Sequence, residues 1–249
     1  MAYLETKGLE VSFDGFKAVD GLDFSVNQGE LRCLIGANGA GKSTTLDIIS
    51  GKTRQSAGSI LLDGVDITDK HEHHRARAGI GRKFQVPSIF SELTVRENLQ
   101  LAYSKQTSIR HNIFSWPGSA GRERIEEVVE LTGLRDRLDT QASFLSHGET
   151  QWLEISMLII QDSKIILMDE PTAGMTIGET QKTAAIFNSL KGHHTLVVVE
   201  HDMTFVREIA EIITVLHQGK LLAEGTVGEI EINPRVQEAY LGSGGISHA

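Results

Sequence analysis

The chain has 249 residues, enough for one large α/β domain or two small ones whose core needs no covalent staples. A single cysteine, Cys33, excludes a disulfide framework and fits a reducing compartment. The formal net charge of −9 argues against nucleic-acid binding, which relies on clustered Lys and Arg. Residues 1–8 carry no basic start before an apolar core, and the apolar stretches 153–160 and 165–168 fall far short of the ~20 residues that span a bilayer. A soluble, cytoplasmic chain is expected, reaching any membrane through a partner.

In chain order, Leu4 to Phe13 and Leu22 to Val26 read as strands of an antiparallel sheet, with Asp14-Gly15 as a turn. Phe13 is the aromatic placed against a nucleotide base, with Phe16 a competing candidate. Next comes an apolar run, Leu31, Cys33, Leu34 and Ile35. It leads into Gly36-Ala37-Asn38-Gly39-Ala40-Gly41-Lys42-Ser43-Thr44, followed by a helical pattern carrying Leu46, Ile48 and Ile49. Strand, glycine loop and helix in that order make a phosphate cradle. Glycine lets successive N–H groups converge on phosphate oxygens, and the helix adds its positive end. Lys42 would reach the β and γ phosphates, Ser43 would ligate Mg²⁺, and Thr44 would add an α-phosphate contact.

Ser59 to Leu62, Asp63-Gly64 and Val65 to Thr68 read as a hairpin. His71, His73 and His74 read as an exposed polar linker, since no second ligand cluster accompanies them. The basic residues Arg75, Arg77, Arg82 and Lys83 fit a solvated face as well as any functional one. Gly79 to Phe84 reads as a strand delivering Gln85, a side chain suited to ligating Mg²⁺ and orienting an attacking water. Helical spacing runs over 91–100 and 123–131, with a break at 115–121. Leu145-Ser146-His147-Gly148-Glu149 precedes a further helical stretch, 152–160, so Ser146 and Gly148 form a second anion-binding element. Lys164 to Glu170 is an apolar strand ending in two carboxylates: Asp169 is placed to hold Mg²⁺ and Glu170 to polarise the attacking water. Thr195 to Val199 is another buried strand; His201 after it could sense the γ phosphate. Strands over 212–216 and 220–223 and a helix over 234–240 complete the chain.

With these elements in place, the chain resembles ATP-binding cassette ATPase subunits from end to end. The loop at 36–44, Gln85, the signature at 145–149, Asp169 with Glu170, and His201 follow the family's order. The resemblance implies one nucleotide-binding domain over 1–249. It would be a P-loop NTPase with a RecA-like core, an antiparallel β subdomain and an inserted α-helical subdomain over about 88–160. It implies ATP and Mg²⁺ as cofactors, held by Phe13, Gly36, Asn38, Gly39, Ala40, Gly41, Lys42, Ser43 and Thr44, with Ser43, Gln85 and Asp169 on the metal. Catalysis would rest on Glu170, His201, Gln85 and Lys42. A second cassette, identical or a sister subunit, would pack head to tail, so that Ser146, His147, Gly148 and Glu149 act in trans. Two transmembrane permease subunits and, indirectly, an extracytoplasmic solute-binding protein are the further partners implied, with no nucleic acid. The cassette would lie on the cytoplasmic side of the inner membrane.

The run 75–85, Glu200-His201-Asp202-Met203 and Glu238-Ala239-Tyr240-Leu241-Gly242 resemble importers of branched-chain amino acids and their relatives. Within that group, 145–148, 151–155 and Ala173-Gly174-Met175-Thr176 look most like the urea importer's ATP-binding subunit, so urea is the solute expected and branched-chain amino acids the alternative. A soluble cassette ATPase of DNA repair or translation fits less well, because neither a long coiled coil nor a tandem cassette is present. A regulatory module without turnover is opposed by Lys42, Asp169, Glu170 and His201. Two residues depart from the family pattern. Glu149 stands where glutamine is usual, placing a carboxylate near a triphosphate unless it faces away or pairs with a basic residue. Thr176 stands where aspartate is usual.

Overall fold

The computed structural model describes residues 2–83, 88–103 and 118–241. Strands β1 (Ala2–Phe13) and β2 (Phe16–Asn27) form an antiparallel hairpin around Asp14 and Gly15. Both turn residues have positive φ, 48° and 86°, as the tight two-residue connection requires. β4 (Ala57–Leu62) pairs with β1 and with the short β5 (Val65–Asp66), completing an antiparallel sheet of order β2-β1-β4-β5. β2 starts six residues earlier than the apolar run 22–26 suggests, because its first half, which mixes exposed Phe16 and Lys17 with buried Ala18 and Val19, is paired with β1.

A second sheet is organised around β3 (Leu31–Ile35), which lies parallel to β8 (Thr195–Val199) on one side and β9 (Ile212–His217) on the other. Beyond β8 come β7 (Ile165–Asp169) and β6 (Ile80–Lys83), also parallel, and β10 (Lys220–Gly225) adds an antiparallel edge to β9. Every residue of β3, β7 and β8 is buried, as befits parallel strands covered on both faces. Alternation divides them between two cores. Cys33, Ile166, Met168 and Val198 pack with Val95, Leu99, Val128 and Leu153. Leu34, Ile165, Leu167, Val197 and Val199 pack with Leu46, Ile48 and Ile49 and with Leu4, Leu22 and Phe24 of the antiparallel sheet. The expected class, a P-loop α/β fold with an antiparallel sheet beside a mainly parallel one, is the one the chain adopts.

The helices are α1 (Lys42–Ser50), α2 (Glu72–Ala78), α3 (Val95–Tyr103), α4 (Ser119–Thr132), α5 (His147–Ile160), α6 (Ile177–Leu190), α7 (Met203–Ile209), α8 (Val227–Glu231) and α9 (Pro234–Leu241). α5 packs on both α3 and α4, and Trp152 Nε1 donates to Thr183 Oγ1 on α6 at 3.0 Å. No helix among the described residues is long and apolar enough to cross a membrane.

Three expectations need correction. The histidine segment is not a linker: α2 begins at Glu72, and His73 and His74 lie within it. The basic run is not a solvated face, for Arg75 and Lys83 are each 2% exposed and the Arg82 side chain 6% exposed; only Arg77 fits that description. Arg75 donates to the carbonyls of Ile48 (2.6 Å) and Ile49 (3.0 Å) at the end of α1, and to those of Lys70 and Thr68. It thereby satisfies oxygens that a helix C-terminus otherwise leaves orphaned. Helix starts also move. α3 begins at Val95, not Ser91, because Thr94 and Glu97 exchange the reciprocal bonds of a capping box. α5 begins at His147, within the signature itself, rather than at Trp152.

Candidate nucleotide site and signature

β3 ends at Ile35 and α1 starts at Lys42, so residues 36–41 must turn the chain sharply at the end of the central strand. Gly41 caps α1 with φ 98°, and a Cβ there would collide with the Ala18 carbonyl of β2; only glycine lets the loop lie so close. A cleft of about 370 Å³ opens here, lined by Phe13, Phe16, Ala18, residues 38–44 and Glu170. Both candidates for base stacking therefore face it, 50% and 65% exposed. Lys42, only 8% exposed, donates from Nζ to the carbonyls of Gly36 (2.7 Å) and Ala37 (3.0 Å). Burial lowers its pKa, while Glu170 and Asp169 oppose that fall.

β7 delivers Asp169 to the same place. Ser43 Oγ donates to Asp169 Oδ1 at 3.1 Å, joining residues far apart in the chain. The other Asp169 oxygen lies 3.7 Å from the Arg82 guanidinium, which also meets Asp47 at 2.7 Å. Glu170 is not the next residue of a straight strand. It takes a left-handed φ of 46°, a costly conformation held by its N–H to the Val199 carbonyl (2.9 Å) and its carbonyl to the Ala173 N–H (3.2 Å). Strand alternation predicts that Asp169 and Glu170 point apart; the kink instead leaves Asp169 buried against Ser43 and turns Glu170 into the cleft. His201 Nδ1 is 3.7 Å from Glu170 Oε1, and its side chain is 67% exposed.

Beneath this pair lies a residue to which the sequence reading gave no role. Glu200 is fully buried. Its Oε1 accepts from the Thr172 hydroxyl (2.5 Å) and N–H (3.2 Å), and its Oε2 from the His201 N–H (3.0 Å). It locks the turn after Glu170 to the turn carrying His201. A buried acid directly after four valines and leucines was the available signal, since such a group must be fully hydrogen-bonded.

Residues 145–149 lie elsewhere, and none of them lines the cleft. Ser146 caps α5 in a capping box with Glu149: Glu149 N–H donates to Ser146 Oγ (3.2 Å), and Ser146 N–H to Glu149 Oε2 (2.9 Å). The other Glu149 oxygen pairs with Arg137 at 2.7 Å. The unusual acid thus meets a basic residue and closes a cap. Partial burial pushes the Glu149 carboxyl up, but the Ser146 N–H and Arg137 outweigh it, leaving it below the usual glutamate range. Thr176 also has a structural explanation, capping α6 in a box with Glu179. His147 is turned back into its own chain, with Nε2 2.9 Å from the Ala173 carbonyl, so Nε2 carries the proton. Gln85 lies outside the described residues.

The paired hydroxyl and carboxylate of Ser43 and Asp169 are hard oxygen donors at a phosphate cradle. That set fits a cation such as Mg²⁺, which takes few protein ligands and completes its shell with phosphate and water.

Sequence patterns of known families match in two places: those of the ABC transporter family over residues 19–173, and those of the branched-chain amino acid ATP-binding cassette transporter over 220–246. The chain is 36% identical to the high-affinity branched-chain amino acid transport ATP-binding protein BraF of Pseudomonas aeruginosa, over 96% of this chain and 97% of that protein. To the corresponding LivG protein of Escherichia coli it is 35% identical, with the same coverage. Among solved structures, a nucleotide-free ATP-binding cassette from an ABC transporter superposes with a TM-score of 0.82 at 31% identity, covering 96% of this chain and 99% of that one. An ATP-binding cassette of an ABC transporter in its ADP conformation gives 0.84 at 30% identity, covering 97% and 99%. The chain belongs to the ABC transporter family and is an ATPase of that family.

Proposed function

We propose that this chain is the ATP-hydrolysing subunit of an importer in the branched-chain amino acid group, working on the cytoplasmic face of a membrane through permease subunits. The observation that carries the reading is the meeting of Ser43, Asp169, Glu170 and His201 around one phosphate cradle. The adenine ring would stack on Phe13, and the loop N–H groups with Lys42 would hold the phosphates. Mg²⁺ would be held by Ser43 and Asp169, with Gln85 as a further ligand, and would neutralise charge on the phosphates. Glu170 would polarise a water for attack on the γ phosphorus. The bond to the β-phosphate oxygen breaks and ADP leaves with the electron pair, while His201 donates to the γ phosphate.

Because residues 145–149 do not reach the chain's own cleft, the reading takes a second cassette, packed head to tail, so that Ser146 and Gly148 of each chain close the ATP site of the other. One ATP-binding cassette of known structure, 24% identical to this chain, is dimeric in two structures. The whole chain is read as one domain, with residues 88–160 as the helical part that meets the permeases.

On the solute, relatives across the whole length are named for branched-chain amino acids, and this outweighs the short runs at 145–148, 151–155 and 173–176 that favour urea. Uptake of labelled leucine and labelled urea should be measured in cells with and without the chain. Loss of leucine uptake alone is expected; loss of urea uptake alone would move the chain to the urea branch, and loss of neither would remove it from import of both.

A further inference from the structure

The signature of the free chain is not an open anion site. Gly148 is buried although its neighbours Ser146 and His147 are exposed, and what covers it is the side chain of Glu179. A Cβ on Gly148 would run into Glu179 Oε1, so the carboxylate rests directly on the glycine. Ser146 Oγ donates to the same oxygen at 3.4 Å. The other oxygen, Oε2, is engaged at home, accepting from the Thr176 N–H (2.9 Å) and hydroxyl (2.9 Å) at the start of α6. The carboxyl is held below the usual glutamate range, first by the Thr176 bonds and then by Ser146 and Gly148. It is therefore a full negative charge at neutral pH.

We propose that Glu179 occupies, as an internal anion, the place the signature reserves for the γ phosphate of the partner subunit's ATP, and so sets the threshold for ATP-driven dimerisation. The inference rests on the head-to-tail reading above. A hydroxyl and an N–H at a helix N-terminus favour any anion. Two anions cannot share them without strong mutual repulsion at such close range. The triphosphate must displace Glu179, whose side chain can rotate outward while the backbone of α6 stays in place. The contact shields the signature when no partner is docked, and it opposes closure by a cassette that brings no γ phosphate to replace it.

The test uses the full chain carrying Glu170→Gln, which retains bound ATP, and measures its monomer–dimer Kd with ATP and Mg²⁺ by analytical ultracentrifugation, with and without Glu179→Gln. Glutamine at this position still closes a capping box with Thr176, so the substitution removes the charge and spares the helix start. The dimer Kd is expected to fall by about tenfold, the effect of relieving a like-charge contact worth roughly one decade. A fall of less than threefold, no change, or a rise overturns the proposal. Thr176→Ala, which removes the cap but keeps the carboxylate, should not tighten the dimer; if it does so as strongly as Glu179→Gln, loosening of α6 is the cause and the proposal fails. If the Glu170→Gln chain does not dimerise with ATP at all, the head-to-tail reading itself falls, and this inference with it.

Discussion

At the N-terminus of α1 the side chain that fills the cradle is a cation, Lys42, whose Nζ is held by the carbonyls of Gly36 and Ala37. At the N-terminus of α5 it is an anion, the Glu179 carboxylate on Ser146 and Gly148. The two helix ends offer the same chemistry, free N–H groups and the positive end of a dipole. What each chain segment places against them gives opposite results. Phosphate arriving at α1 finds a partner for its charge, and Lys42 need only exchange two carbonyls for phosphate oxygens. Phosphate arriving at α5 must first displace a like charge. On the proposed function the first site would bind a nucleotide in the isolated chain, and on the Glu179 proposal the second would open only when something stronger than a carboxylate competes for it.

The largest expected effect separates these two regions outright. Glu170→Gln leaves Lys42, Ser43 and the glycine loop intact, so nucleotide binding should persist while turnover falls by ~10²–10⁴, the usual contribution of a general base. Nucleotide binding by fluorescence and phosphate release on the same sample check it, and unchanged release would remove Glu170 from the role. Next in size is a change that weakens the first region through its far end. Arg75→Ala strips the cap from the last carbonyls of α1, to which the guanidinium donates from a site 2% exposed. Buried carbonyls left without donors should lower unfolding stability by about 3 kcal/mol, read from urea denaturation. A loss under about 1 kcal/mol would mean water replaces the guanidinium at those oxygens.

Much of the first region was legible because its chemistry is local in sequence or follows strand logic. The loop 36–44 reads off as a motif, and an apolar run ending in acids identifies β7, whose Asp169 meets Ser43 from the end of a strand two places from β3 in the sheet. Two features there were not legible. The left-handed kink at Glu170 breaks the alternation rule that predicts opposed side chains. The buried roles of Arg75 and Glu200 depend on which carbonyls and N–H groups the tertiary fold leaves unpaired. In the second region the pairing of Glu149 with Arg137 is one of the two outcomes expected of that acid, while its part in the helix start is not legible from a family pattern. Glu149 and Thr176 look anomalous against a family pattern, yet each belongs to a Ser/Thr-x-x-Glu sequence, 146–149 and 176–179, of the same kind as Thr94 with Glu97 and Thr226 with Glu229. Capping boxes are readable from sequence. The histidines at 71–74 are exposed, as their polarity suggests, but His73 and His74 lie in α2, whose start polarity alone does not reveal.

The smallest effect tests whether Glu149 belongs to the helix start or to its ion pair. Glutamine at 149 preserves the reciprocal bonds with Ser146 and gives up only the charge and its Arg137 contact at 2.7 Å. The Arg137 side chain is 52% exposed and that of Glu149 17%, so screening by solvent limits the pair to about 0.5–1 kcal/mol. The sign of its pH dependence follows from the carboxyl being held below its ordinary value of 4.5. The folded chain favours the ionised form, so the advantage over Glu149→Gln is complete above the unfolded value and disappears as pH falls through the folded one. Urea denaturation of both proteins should show the gap at pH 7 and its progressive loss as the pH is lowered below the ordinary glutamate value. A gap that survives acid would place the contribution of Glu149 in the geometry of the cap, and a gap absent at every pH would leave Arg137 as a solvent-exposed bystander.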